Sequence, residues 1–214
     1  MLVPLVAALD FLDPAKVIST FGTIGILAVV FAETGLLIGF FLPGDSLLFT
    51  AGLLCATGTS AALHLELGIV VPGVIVAAIL GAQVGYLIGR RAGPALFRRE
   101  DSRLFKRQYV DRAEEFFRKG GIRAVVLARF VPIVRTFLNP AAGISRMPAR
   151  QFVIANVIGG VLWGGGVTMA GYLLGDVPFV KDHLELVILG IVGLSLLPVA
   201  FEVLKNRRER SAVA

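Results

Sequence analysis

The chain has 214 residues, 56% of them hydrophobic and only 17% charged, with a mean hydropathy of +0.82, which excludes an ordinary soluble domain and marks an integral membrane protein. The net charge of +6 does not point to nucleic acid, because the cations gather at the edges of apolar runs, where the positive-inside rule accounts for them. One cysteine, Cys55, excludes an intramolecular disulfide, and neither histidine has ligand spacing to another His or Cys, so no metal or cofactor is expected.

Residues 1–16 are short apolar pieces broken by Asp10, Asp13-Pro14 and Lys16; they read as an interfacial lead-in, without the basic start of a cleaved signal peptide. From Val17 to Leu42 the chain is apolar on both sides of Glu33, until Pro43-Gly44 interrupts it. The next apolar piece, Ser46 to Ala56, has eleven residues. At about 1.5 Å per residue it cannot cross a hydrocarbon core of roughly 30 Å, so it reads as a re-entrant or broken helix, and whether residues 17–42 span or form the first arm of a hairpin stays open. His64 and Glu66 fall at an interface, and Leu67 to Arg90 is long enough to span. Gly81, Gly85, Gly89 and Gly93 recur every four residues along it and leave one face open to close helix packing.

Residues 90–123 hold eleven of the 21 Lys and Arg, which places this loop in the cytoplasm. Within it, about 101–119 forms an amphipathic basic helix, capped by Asp101 or Ser102 and ending at Gly120-Gly121. Ile122 to Ile144 is apolar yet carries Arg129, Pro132, Arg135 and Pro140, with cations at both ends; it reads as a second hairpin entering and leaving on the cytoplasmic side. Phe152 to Leu174 spans, and Leu184 to about Leu204 returns. The basic tail 205–214 is then cytoplasmic. Residues 17–204 thus form one all-α membrane domain: spanning helices plus two oppositely oriented, Pro-broken re-entrant hairpins, an inverted-repeat pattern with its site near the midplane.

Four ionisable groups lie in the broken segments. Arg129 and Arg135 are six residues apart and would face different ways on an unbroken helix; a break at Pro132 lets both guanidinium groups converge, an arrangement suited to phosphate oxygens. Glu33 and Asp45 act together only if the chain folds back at Pro43-Gly44. Burial favours a neutral carboxyl and a nearby guanidinium an ionised one, so this pair is suited to proton exchange. The bland alternative is that the four groups only neutralise one another and hold the halves in register.

Three stretches, Glu33…Phe41-Leu-Pro-Gly-Asp45, Gly85-Tyr86-x-x-Gly89-Arg90, and Arg129-x-x-Pro132-x-x-Arg135 with Pro140-Ala-Ala-Gly143, occur in that order. Together they resemble the DedA family, also called SNARE-associated or VTT-domain membrane proteins, over roughly residues 20–175. Ala82 departs from the pattern, since many members are acidic there. The resemblance implies two oppositely oriented re-entrant hairpins, with the functional acidic pair on Glu33 and Asp45 and the paired arginines on Arg129 and Arg135. It implies a plasma (inner) membrane translocase for a polyprenyl phosphate, undecaprenyl phosphate above all, driven by the proton-motive force.

The expectation is therefore a flippase and not an enzyme, since neither His has the basic neighbours a membrane phosphatase needs. Arg129 and Arg135 would take the lipid phosphate, Glu33 and Asp45 the protons, and Pro43, Gly44, Pro132 and Pro140 would be the hairpin breaks. Its partners would be an anionic membrane lipid and protons, not nucleic acid, with self-association left open. The rival expectation is a proton-coupled exporter of small ions or drugs, with the acidic pair as the binding element and the arginines structural.

Overall fold

The computed structural model describes residues 14–36, 44–57, 65–96, 107–175, 177–183 and 186, and among them there are helices and no strands. The expectations for residues 1–13, for Pro43, for His64, for a cap at Asp101 or Ser102, for the returning helix 184–204 apart from Leu186, and for the tail 205–214 lie outside the described residues.

Helix α1 is Pro14–Gly35, α2 is Gly44–Thr57 and α3 is Leu67–Leu96. Among the described residues three apolar stretches are long enough to cross a membrane: Lys16–Gly35, Leu67–Ala92 and Ala149–Gly175, with 20, 26 and 27 residues. At 14 residues α2 extends about 21 Å and does not reach across. Helix α4, Arg107–Ala128, is two helical segments joined at Gly121, so the basic amphipathic helix ends at Gly120-Gly121 as expected. The chain turns at Gly121 (φ 52°, ψ −137°), and a second segment runs on toward Arg129. Gly22 (φ 55°, ψ −143°) bends α1 in almost the same way. A side chain is strained at such a φ, and glycine is the residue that lets the chain turn there.

Helix α5 is Pro132–Ile144, with Pro132 in its first turn, where a missing N–H costs nothing. Pro140, expected to be a break, is not one: α5 runs through it to Ile144. The ring removes one hydrogen bond of a helix that is packed along α3, where the Pro140 backbone rests against Gly89, and that contact keeps the helix together. Helix α6 is Ala149–Gly160; it passes through a π-helical turn, Val161–Gly165, into α7, Gly166–Gly175, and a short α8, Pro178–Asp182, follows.

The packing exchanges partners between the two halves of the chain. Helix α1 packs on α3, and α4 on α6, but the short α2 lies along α7 and the short α5 along α3. Glycines make both exchanged crossings close. A Cβ on Gly52 of α2 would stand 1.9 Å from the Thr168 carbonyl oxygen, and one on Gly143 of α5 would stand 2.1 Å from that of Tyr86. Two apolar cores result, one built from α1, α2 and α3 with Trp163, the other from α4, α5 and α6 with Ala82 and Tyr86 of α3. Around them the surface is apolar: Ile24, Ile69, Leu80, Val157, Leu162 and Leu173 point outward, the reverse of a soluble protein and the state expected in lipid.

Candidate functional site

The interior between the two cores is polar. Glu33, near the end of α1, is 3% exposed, and Arg129, in the short link between α4 and α5, is 5% exposed. Phe130 and Val131 of the link, with Leu127 of α4 and Val134 and Phe137 of α5, face outward, so the arginine turns inward from a stretch whose larger apolar side chains around it face away. Bare cations are costly in such surroundings, and every guanidinium here is matched.

Arg135 is the hub. It donates through Nη2 to Glu33 Oε1 and through Nη1 to Asp45 Oδ1, the latter at 2.6 Å. Two carboxylates from segments 102 and 90 residues away are thus held by one guanidinium, which requires the chain to return between α1 and α2. Asp45 lies in the first turn of α2, where the helix dipole favours a negative charge. Gly44 is needed for a close approach: a Cβ there would stand 1.4 Å from Glu33 Oε2. That oxygen is buried and has no hydrogen-bond partner among the described residues.

Arg129 is held differently. Its Nη1 donates to Asn156 Oδ1 at 2.7 Å and its Nη2 to the Ala78 carbonyl at 3.1 Å. Asn156 itself donates to the Ile79 carbonyl at 2.9 Å, so this arginine ties α6 to α3 through neutral acceptors. Both guanidinium groups lie over the Trp163 ring, Arg129 at 5.6 Å and Arg135 at 4.9 Å from its centroid, within the range of cation–π attraction. The indole N–H donates to Asp45 Oδ1 at 2.7 Å. If all four groups are ionised, their charges cancel: two carboxylates against two guanidiniums.

A cavity of about 10 Å³ lies among Glu33, Arg129, Arg135, Asn139 and Trp163, room for about one water molecule and too narrow for a phosphate. Asn139 of α5 donates to the Thr34 carbonyl of α1 at 2.8 Å and fastens the two elements beside it. Away from this center, Tyr86 donates to the Met147 carbonyl at 2.6 Å, accepts from Arg90 at 2.9 Å and stacks on Phe152 with centroids 4.4 Å apart. The Gly85-Tyr86-x-x-Gly89-Arg90 stretch therefore packs α3 against α5 and α6 and does not reach the charged cluster.

A VTT domain model matches residues 42–173, which include Asp45, Arg129, Arg135 and Trp163 and begin after Glu33. The chain is 43% identical to protein DedA of Escherichia coli over 87% of its own length and 84% of the relative's. It is 48% identical to an uncharacterized membrane protein of Mycobacterium tuberculosis (94% and 89% covered).

The chain belongs to the VTT-domain (DedA) family.

It is also 38% identical to inner membrane protein YghB of Escherichia coli, over 81% of this chain and 75% of that one. No solved structure gives a significant match.

Within this DedA-family chain, Glu33, Asp45, Arg129 and Arg135 come together, but not as two equivalent pairs. Arg135 takes both acids, while Arg129 takes none directly. Two residues of the Phe152–Leu174 span that no sequence motif singled out, Asn156 and Trp163, also belong to the site. Only their types hinted at this: Trp163 is the single tryptophan, set before three glycines, and a buried Asn needs partners. The π-helical turn, a feature frequent at functional sites, holds Trp163.

Proposed function

We propose that this protein is a lipid translocase that moves a polyprenyl phosphate, undecaprenyl phosphate first, across the inner membrane in a step coupled to protons. The observation that carries this reading is the Arg135 guanidinium shared by Glu33 and Asp45 inside an apolar helical shell. A group that forms ion pairs on both forks can hand them to one phosphate if the acids take up protons, and a phosphate leaving would return the acids to Arg135. Phosphate binding and protonation of the acids thereby go together at one site. Arg129, pinned to α3 and α6, supplies a second fixed positive charge against which the phosphate is balanced.

The alternating path rests on an inverted repeat of two re-entrant hairpins, α1–α2 and α4–α5. Support comes from the matched bends at Gly22 and Gly121, from two short helices of 14 and 13 residues, and from the exchanged packing of α2 on α7 and α5 on α3. The site then lies between the hairpin tips, with the basic 90–123 loop and the C-terminus in the cytoplasm. Since the cavity holds about one water, admission of the headgroup requires the hairpins to part.

The small cavity also favours a second reading, a proton-coupled exporter of small ions. Liposomes carrying labelled undecaprenyl phosphate separate the two. The translocase reading predicts loss of outer-leaflet label with wild-type protein and not with Arg135→Ala. Equal movement by both proteins, or none by either, refutes it, and proton-linked efflux of a small cation without lipid movement would select the exporter.

A further inference from the structure

We propose that Asp45 is an internal stand-in for the anionic headgroup: Arg135 Nη1 and Trp163 Nε1, which now meet on Asp45 Oδ1, form the headgroup subsite, and a phosphate-monoester oxygen takes that oxygen's place. This deepens the lipid-phosphate reading and rests on it.

The two acids are not alike. The Glu33 side chain is 3% exposed and is wedged between Arg135 and Gly44, whereas that of Asp45 is 37% exposed. The oxygen Asp45 presents receives one charged and one neutral donor, at 2.6 and 2.7 Å. Convergence of a guanidinium and an N–H on a single oxygen is a way of binding an oxyanion. The cavity beside Arg135 and Trp163 admits about one water, so a phosphate enters only by displacing a group already there, and of the two acids Asp45 is the less buried.

Trp163 makes the exchange specific for an acceptor. Its indole N–H can donate but never accept, and the residue is 2% exposed, so the departure of Asp45 leaves a buried donor that requires an oxygen. The indole is carried by the π-helical turn, and its ring lies 4.9 Å from the Arg135 guanidinium. Arg129 cannot take this role, since its forks are committed to Asn156 and the Ala78 carbonyl.

Calorimetric titration of the purified full-length protein in detergent tests this, with geranyl phosphate as probe and inorganic phosphate and geraniol as parallel arms. Removal of the stand-in by Asp45→Ala should tighten geranyl phosphate binding by about tenfold or more, and Trp163→Phe, which keeps the ring but loses the donor, should weaken it by about tenfold. A gain in affinity cannot arise from misfolding, which keeps the test valid if Trp163→Phe folds poorly. Unchanged or weaker binding by Asp45→Ala overturns the inference, as does geraniol binding as tightly as its phosphate. Equal tightening for inorganic phosphate would support a subsite for any phosphate; tightening for geranyl phosphate alone would support one for lipid phosphate. If neither wild type nor Asp45→Ala binds either phosphate, the lipid-phosphate reading itself fails.

Discussion

Arg129 and Asn156 are joined side chain to side chain by a hydrogen bond of 2.7 Å, and through it α6 is tied to the carbonyls of Ala78 and Ile79 on α3. Asn156→Leu keeps the bulk and removes both the acceptor for a buried cation and the donor to Ile79. The expected loss is about 1–3 kcal/mol, read as a lower thermal midpoint in detergent. An unchanged midpoint would mean that Arg129 does not depend on this acceptor.

Arg135 carries two acids, so its removal should cost more than the contacts it makes. Arg135→Leu leaves Glu33 buried and ionisable without a counter-charge, an arrangement that costs about 3–5 kcal/mol when a buried pair is broken. Adding Glu33→Gln and Asp45→Asn to Arg135→Leu removes the stranded charges, and the triple variant should be more stable than the single one. A triple variant no more stable than Arg135→Leu alone would show that charge balance is not what the cluster supplies.

Three glycines should respond differently to alanine. Gly52→Ala places a methyl 1.9 Å from the Thr168 carbonyl and should destabilise the α2–α7 crossing by about 1–3 kcal/mol. Gly68→Ala meets nothing within 4 Å, and helix propensity alone should make it neutral or stabilising by up to about 1 kcal/mol. Gly44→Ala displaces the Glu33 carboxylate and should abolish lipid transport in liposomes. Transport by Gly44→Ala at the wild-type rate would contradict the placement of Glu33.

The all-helical membrane fold and the four charged groups were legible because a long apolar run and an embedded charge are properties of the chain itself. Arg129 and Arg135 announced a break between them, and the helix does end at Ala128 and restart at Pro132. Pro140 misled because proline's cost is local, whereas the packing of α5 on α3 that offsets it joins residues far apart in sequence. Trp163 and Asn156 were illegible as site residues for a related reason. Their partners, Asp45, Arg129 and Ile79, lie 118, 27 and 77 residues away, and no local pattern encodes those meetings.

Hairpin topology has its own check. In a Cys55→Ala background, single cysteines at Arg118 and Arg150, both exposed, flank the second hairpin. Both should react with a membrane-impermeant thiol reagent from the cytoplasmic face. Labelling from opposite faces would make α4–α5 a crossing and remove the inverted repeat.

The coupling of protons to a lipid phosphate at Arg135 is tested most directly by the rate of undecaprenyl phosphate movement in liposomes with and without an imposed pH gradient, in wild type and in Glu33→Gln. One pH unit is worth about 1.4 kcal/mol per proton, so for each proton tightly coupled to a lipid a one-unit gradient allows up to about a tenfold change in the steady lipid distribution. The account predicts that the gradient drives wild type and leaves Glu33→Gln indifferent while lipid still moves. A wild-type rate and distribution that do not change with the gradient would contradict it.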